Sequence, residues 1–469
     1  MNRHLRRTFY LFAAGFVALT GLLAYWQVYA RESLAENPDN SLQTQRAVQA
    51  PRGLILAGDG ETALARSEER ETDTGKAYDR VYPEGDLYAD VVGYWSTRYG
   101  ATGIEIGENS NLSGNAEPAT LDDLINQMSG GPQPGNNITL TLDPDLQRLA
   151  RDQISTSNTG KGSAVAIDPK TGEILAMASY PSYDPNNIDD RFPELSEDPA
   201  QPLLNRATQG LFVPGSIIKV ITAGAALKSG VKPTDKFTDT GVYERPGYTV
   251  VNYDDNVYGQ QTFAQSLALS INTVFAKVAV EEIGTDALYN TARDFGFGDT
   301  YEEFPLQVSP SDLGGGDLAQ VAFGQDTASS NVFQMALVAA AIGNDGVMME
   351  PRIVKEVRSP DGIILEKPGP RERQESLDAE TADTLQDMMV GVVEDVHPEA
   401  KIPGIKVAGK TGTAEVPPRD PNSWFIASAP ADDPEIAVAV LIENGGDGED
   451  EALPAAREIL SAYLKDNGG

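Results

Sequence analysis

From Thr8 to Ala30 the chain carries 23 consecutive uncharged residues, TFYLFAAGFVALTGLLAYWQVYA. As a helix this run would reach roughly 34 Å, enough to cross a bilayer. Tyr25, Trp26 and Tyr29 gather at its far end, where interfacial aromatics sit. A cleaved signal peptide is the competing reading, with Val28-Tyr29-Ala30 as its cleavage site. The run exceeds the roughly 7–15 apolar residues of a signal peptide, which favours a retained anchor. No other apolar stretch in the sequence is comparably long.

After the anchor the pattern changes from one apolar block to short elements. Residues 31–50 are polar and read as an extended or helical stalk. Residues 51–60 read as a short strand ending in a Gly-Asp-Gly turn. Residues 80–115 show no sustained period and predict short strands and loops. The segment SGGPQPGNN, 129–137, is a linker-like breaker. Ile138–Leu142 alternates as a strand, and Asp143-Pro144 predicts a helix N-cap with proline in the first turn. Leu146, Leu149, Ala150 and Ile154 give that helix an apolar face. Ser163–Ile167 and Ile174–Ser179 form a hairpin around Asp168-Pro169-Lys170-Thr171-Gly172-Glu173.

Residues 215–345 read as mostly helical, with alanine-rich apolar segments. Thr381–Val393 adds an amphipathic helix. Strands return at Val407–Thr413, Trp424–Ser428 and Ile436–Ile442, and a helix closes the chain over Ala455–Leu464. The order of strands, helices, strands and helix predicts an α+β fold. Its terminal segments share one sheet, and helices cover it.

Charge sharpens the topology. The chain has 469 residues and a formal net charge of −34. Residues 1–30 hold three arginines and no acid, so the excess acid falls entirely after the anchor. This asymmetry orients the N-terminus inside and the bulk outside. It also excludes nucleic-acid binding as the main function. There is no cysteine, which removes thiolate nucleophiles and cysteine-based metal sites. Of the two histidines, His4 lies in the N-terminal tail, leaving only His397 to a folded site. A nucleophilic enzyme with this composition is expected to use lysine or carboxylate bases.

Three short motifs supply such chemistry. Ser216-Ile217-Ile218-Lys219 follows Val213-Pro214-Gly215 and opens an apolar helix. Residues at i and i+3 share a helix face, about 5–6 Å apart at Cβ. A lysine desolvated there loses basicity and becomes a usable base for the serine. Ser270-Ile271-Asn272 offers a second hydroxyl and an amide. Lys410-Thr411-Gly412-Thr413 offers a cation, two hydroxyls for a carboxylate, and a glycine that lets a substrate backbone approach and pair as an added strand. Each motif has a second copy, at Ser229–Lys232, Ser113–Asn115 and Lys170–Gly172, where helix-end or turn chemistry suffices. Only the first set keeps the S-x-x-K, S-x-N, K-T-G order in suitable contexts.

With those motifs in order, the chain resembles the class B penicillin-binding proteins, membrane-anchored peptidoglycan D,D-transpeptidases. Asn205-Arg206-Ala207, Pro214-Gly215-Ser216, Gly324-Gln325, Met335-Ala336 and Ala408–Glu415 are similar to family landmarks. Arg52-Gly53 and Leu87–Asn109 are similar to the short actinobacterial subtype. Ile217 departs from the threonine common at that position, and the acidic stretch Glu394–Pro403 has no clear counterpart. The resemblance implies a penicilloyl serine transferase, or β-lactamase-like, transpeptidase domain at 156–469. A mostly β, elongated pedestal at 31–155 would carry it, with a transmembrane anchor at 8–30 and a cytoplasmic tail at 1–7.

By the same resemblance Ser216 attacks the D-alanyl-D-alanine carbonyl of a stem peptide and Lys219 takes its proton. The N–H groups of Ser216 and Thr413 form the oxyanion hole. Ser270 and Lys410 pass a proton to the leaving D-alanine. Asn272 holds the peptide amide, and Thr411 and Thr413 hold the terminal carboxylate. β-Lactams would acylate Ser216. No metal or organic cofactor is implied, and the implied membrane partner is a polytopic glycosyltransferase. The alternatives are a D,D-carboxypeptidase or β-lactamase on the same fold, and a non-catalytic wall-synthesis scaffold. Against a class A β-lactamase, no E-x-x-L-N segment follows Ser270. Against a scaffold, all three motifs are kept.

Overall fold

In the computed structural model, residues 3–25, 48–72, 75–114, 133–245 and 247–467 are described. The first helix runs Arg3–Ala24, and its Phe9, Leu11, Phe12 and Phe16 are exposed. Among the described residues no helix is long and apolar enough to cross a membrane. The end of the apolar run, residues 26–30, and most of the expected stalk, residues 31–47, lie outside the described residues. So do residues 129–132 of the breaker.

A five-stranded antiparallel sheet organises the catalytic half. Its order is Ala408–Val416, Arg419–Ala429, Ile436–Ile442, Gly162–Ile167, Ile174–Tyr180. Strands from the start and the end of residues 162–467 thus meet in one sheet, as the element order predicts. Period-two alternation sends neighbouring residues to opposite faces. Val438, Val440 and Ile442 face Ala456, Ile459 and Leu460 of the closing helix Ala452–Asn467. Ala437, Ala439 and Leu441 face the other core, which holds the helices Lys219–Lys228, Val332–Gly343 and Ala379–Gly391. Both faces are covered, so the Ile436–Ile442 strand is apolar throughout.

The helix Pro144–Ser155 starts where the sequence predicts. The Asp143 carboxylate accepts from the N–H groups of Asp145 and Leu146, both at 2.9 Å. Such a cap is worth about 1 kcal/mol. Its Leu146, Ala150 and Ile154 pack on the outer face of the catalytic sheet.

Sheet membership crosses the expected division at 155/156. A second, six-stranded sheet joins Ile55–Leu56, Ala63–Thr72, Gly75–Val81 and Asn137–Leu140 to Val354–Arg358 and Ile364–Glu366. The last two strands come from the catalytic half and tie the two parts together. A buried ion network secures this base. Arg52 Nε and Arg80 Nε donate to the two oxygens of Glu105, at 2.9 and 2.6 Å. Burial pushes the Glu105 carboxyl up, but the two guanidinium groups outweigh it and hold it below the ordinary range.

Two expectations are met only in part. Residues 80–115 predict short strands and loops; the short strands Trp95–Ser96 and Gly100–Ala101 are there and pair, but so are helical turns at Gly85–Leu87, Ala89–Val92, Gly103–Gly107 and Asn109–Leu112. These are too short to show a period. The expected helical block 215–345 is interrupted by two strand pairs. Lys236–Asp239 pairs with Gly259–Thr262, and Val242–Arg245 pairs with Tyr248–Val251. Gly241 and Gly247, both at positive φ, turn the chain there. The second pair lies at the rim of the functional groove.

Candidate active site

Ser216 sits in a single 3-10 turn, Gly215–Ile218, that runs directly into the helix Lys219–Lys228. The turn is wedged between two other segments. Gly215 has φ +59°, and a Cβ there would lie 2.7 Å from the Thr413 carbonyl oxygen. Gly324 has φ +80°, and a Cβ there would lie 2.0 Å from the Gly215 oxygen. Glycine is required at both positions.

One helical turn on, Lys219 is wholly buried. The amine is withdrawn from solvent, as the reading of Lys219 as a desolvated base requires. Its Nζ lies 2.9 Å from Ser216 Oγ, 3.0 Å from Ser270 Oγ, 2.7 Å from the Ser270 carbonyl oxygen and 2.6 Å from Asn272 Oδ1. Burial, and then the nearby Lys410, push this amine well below its ordinary value. A neutral amine has two N–H donors and one lone pair. The Ser270 carbonyl and the Asn272 amide oxygen can only accept, so they claim both donors. The lone pair is left for a serine hydroxyl.

Ser270 occupies the corner between the helices Phe263–Ala268 and Asn272–Lys277, with φ +56°. A non-glycine residue in the left-handed region costs free energy and marks an over-determined position. The corner aims the hydroxyl between two amines. Lys410 Nζ is 3.1 Å from Ser270 Oγ and donates to the Thr411 carbonyl oxygen at 2.9 Å. Burial brings Lys410 down to about 7. Ser270 therefore bridges two buried lysines, an arrangement suited to relaying a proton.

Lys410, Thr411, Gly412 and Thr413 lie on Ala408–Val416, the edge strand of the catalytic sheet. Thr411 and Thr413 line a groove of about 410 Å³ together with Ser216, Ser270 and Asn272. Gly412 is constrained in a way the sequence does not suggest. A Cβ there would lie 2.9 Å from Ile217 Cγ2 and 3.1 Å from Trp424 Cβ. The missing side chain accommodates the turn that carries Ser216. Ile217, the family departure, is the residue packed against it.

The second copies of the motifs do other work. Ser229 Oγ donates to the Ala225 carbonyl oxygen at the end of its helix, at 2.8 Å. Lys170 lies in the hairpin loop and pairs with Asp433. Ser113 Oγ donates to the Asn109 carbonyl oxygen, while Asn115 lies outside the described residues.

Residues 162–465 match the penicillin-binding protein transpeptidase domain, and residues 52–138 match the penicillin-binding protein A dimerisation domain. The chain belongs to the penicillin-binding protein transpeptidase family. This penicillin-binding protein is 35% identical to the peptidoglycan D,D-transpeptidase PbpA of Mycolicibacterium smegmatis, over 99% of this chain and 100% of that protein. It is 33% identical to PbpA of Mycobacterium tuberculosis, over 99% of both chains. Among solved structures, the ceftriaxone acyl-enzyme complex of penicillin-binding protein A from M. tuberculosis superposes with a TM-score of 0.83. That match has 32% identity and covers 90% of this chain and 100% of the other. The penicillin G acyl-enzyme complex gives a TM-score of 0.82 at 33% identity, over 88% and 100%.

Three groove residues of this penicillin-binding protein are not singled out for the site by sequence reasoning. Tyr253 and Asp447 meet across the rim, the phenol donating to Asp447 Oδ1 at 2.9 Å. His397 approaches Thr411 Oγ1 to 3.3 Å. Composition isolates His397 as the sole candidate imidazole of the folded part. The acidic stretch around it, unlike the family, is the available signal.

Proposed function

We propose that this protein is a peptidoglycan D,D-transpeptidase that cross-links stem peptides through a Ser216 acyl-enzyme and binds β-lactams covalently at the same serine. The observation that carries this reading is the buried Lys219 amine, 2.9 Å from Ser216 Oγ with both its donors claimed elsewhere. Lys219 accepts the Ser216 proton as Oγ attacks the carbonyl between the last two D-alanines. The backbone N–H groups of Ser216 and Thr413 stabilise the oxyanion, each worth about 3 kcal/mol in comparable enzymes. Ser270, bridging Lys219 and Lys410, delivers a proton to the departing D-alanine amine. Asn272 holds the stem-peptide amide, and the Thr411 and Thr413 hydroxyls hold the terminal carboxylate. The donor peptide lies along the free edge of Ala408–Val416. An amine of a second stem then attacks the acyl-enzyme and regenerates Ser216.

Residues 31–155 act as the pedestal and 156–469 as the catalytic part. Residues 8–30 are the single membrane anchor, with 1–7 in the cytoplasm and the catalytic groove outside. The charge asymmetry about the apolar run and the exposed Phe9, Leu11, Phe12 and Phe16 support this topology. A polytopic glycosyltransferase, contacted through anchor and pedestal, would supply the glycan strands.

The test uses a fluorescent penicillin on the detergent-solubilised full chain. Ser216→Ala is expected to abolish covalent labelling and Ser229→Ala to leave it intact. Persistent labelling of Ser216→Ala would refute the assignment. A donor peptide with and without an amine acceptor then separates transfer from hydrolysis. Release of D-alanine without any cross-linked product would make the enzyme a carboxypeptidase instead.

A further inference from the structure

His397 is buried beside the edge strand, in the turn that precedes Pro398–Ala400. Both ring nitrogens are engaged. Nδ1 lies 3.0 Å from Glu399 Oε1 and 3.3 Å from Glu449 Oε2. Nε2 lies 3.3 Å from Thr411 Oγ1. None of these partners is Ser216, so the imidazole is not the base of a serine–histidine pair.

The two carboxylates decide the tautomer. A lone pair on Nδ1 would oppose anionic oxygens, so Nδ1 carries a proton. Nε2 is then left with two states. In the neutral ring it accepts from the Thr411 hydroxyl, and that hydroxyl has no proton to offer a ligand. In the imidazolium ring Nε2–H donates to Thr411 Oγ1, and the hydroxyl proton turns into the groove.

We propose that His397 is a positioning residue for Thr411 and sets whether its hydroxyl points into the groove to bind the terminal carboxylate of the donor. The inference rests on the proposed role of Thr411 as a carboxylate contact. The charged groups around the imidazole come from three elements. Glu399 lies on its own turn. Glu449 and Asp447 lie on the loop after Ile436–Ile442, and Glu415 lies on the edge strand along the same groove. Lys410 is on that strand too, but its amine is turned to Ser270. Lys401 is paired with Glu394.

Two substitutions separate the nitrogens. Glutamine places its amide where Nε2 stands and can donate to Thr411 permanently. Asparagine reaches only as far as Nδ1 and keeps the carboxylate side alone. The experiment measures second-order acylation of Ser216 by benzylpenicillin and by its methyl ester, from acid to alkaline pH, in the full-length protein. The readout is the preference for the free carboxylate over the ester. In the wild type this preference should grow toward acid pH. H397Q should keep it at every pH. H397N removes both the donor and the acceptor facing Thr411 and leaves its hydroxyl unfixed, so its preference should be flat in pH and below that of H397Q by up to about tenfold, the scale of one hydrogen bond to a charged group, with the ester rate unchanged. Equal behaviour of H397Q and H397N overturns the proposal. So does a wild-type preference flat in pH, or an equal loss for acid and ester, which a merely structural role would give. Acylation that depends on added zinc, and is lost with a chelator, would make the cluster a metal centre and overturn it as well. If wild-type Ser216 is labelled by neither probe, the proposed function itself falls, which is a distinct result.

Discussion

Lys219 Nζ and Asn272 Oδ1 stand 2.6 Å apart in the floor of the groove. The pairing matches a buried amine with an acceptor that has no charge. An amide oxygen orients the amine without restoring the ammonium that burial and Lys410 disfavour. Asn272→Asp keeps the shape and adds an anion at that distance. The Lys219 pKa then rises, so less free base is present at a given pH. Acylation of Ser216 should fall at neutral pH, because the added anion returns part of Lys219 to the ammonium form, which cannot take the serine proton. The rate should recover as the pH is raised. Asn272→Ala should lower the rate without moving the profile. Identical pH profiles for the two variants would show that Asn272 does not set the state of Lys219.

The contact between Gly412 and Ile217 predicts a coupled pair. Gly412→Ala places a methyl 2.9 Å from Ile217 Cγ2 and pushes on the turn that carries Ser216. Acylation should drop steeply while the melting temperature falls modestly. Ile217→Ala removes the opposing methyl and should cost about 2–5 kcal/mol of stability alone, because it opens a cavity in the core. In the double variant part of the acylation lost by Gly412→Ala should return. Strict additivity in a double-mutant cycle would show that the two residues do not share the constraint.

What the sequence disclosed of this site follows from locality. Ser216 and Lys219 are one turn apart, so their relation is fixed by helix geometry. Lys410, Thr411 and Thr413 share one strand, so alternation places them. The single central sheet was legible because Ile436–Ile442 and Ser163–Ile167 are apolar runs with clear turn signals. The Ala63–Val81 ribbon escaped because among its described residues from Arg66 to Asp79 only Ala77 is buried, and β-pattern reading needs one buried face. His397 and Asp447 escaped because their roles depend on contacts to Thr411 and Thr413 across 14 and 34 positions in the chain. No local pattern encodes such pairings.

Lys410 should leave a signature in stability. Its folded pKa is about 7, against an ordinary value of 10.5, because burial disfavours the ammonium. Between those values the unfolded chain binds a proton that the folded chain does not. Stability contributed through this group therefore rises with pH from about 7 to 10.5 and is flat below both values. Lys410→Met removes that segment of slope and should abolish acylation. Melting temperatures of the two proteins across this window provide the check. Parallel curves would mean that Lys410 stays protonated in the fold.

Asp447 makes the last prediction, because it competes for a group the substrate is proposed to use. Its Oδ1 accepts from Thr413 Oγ1 at 3.3 Å and from the Tyr253 phenol at 2.9 Å. The hydrogen bond to Asp447, then partial burial, raises the phenol to about 12, so it stays a donor at neutral pH. In this state a carboxylate of the protein holds the Thr413 hydroxyl that would serve the donor's carboxylate, and its charge repels an anionic ligand. Asp447→Asn keeps the size and removes the charge. Acylation by benzylpenicillin should rise several-fold at low ionic strength. The gain should shrink as added salt screens the exposed rim. The methyl ester of the same penicillin carries no carboxylate and should gain nothing. Tyr253→Phe frees one side of Asp447 without changing the charge, so it should leave the salt dependence as in the wild type. Slower acylation of Asp447→Asn with both probes would show instead that Asp447 holds the rim in its working shape.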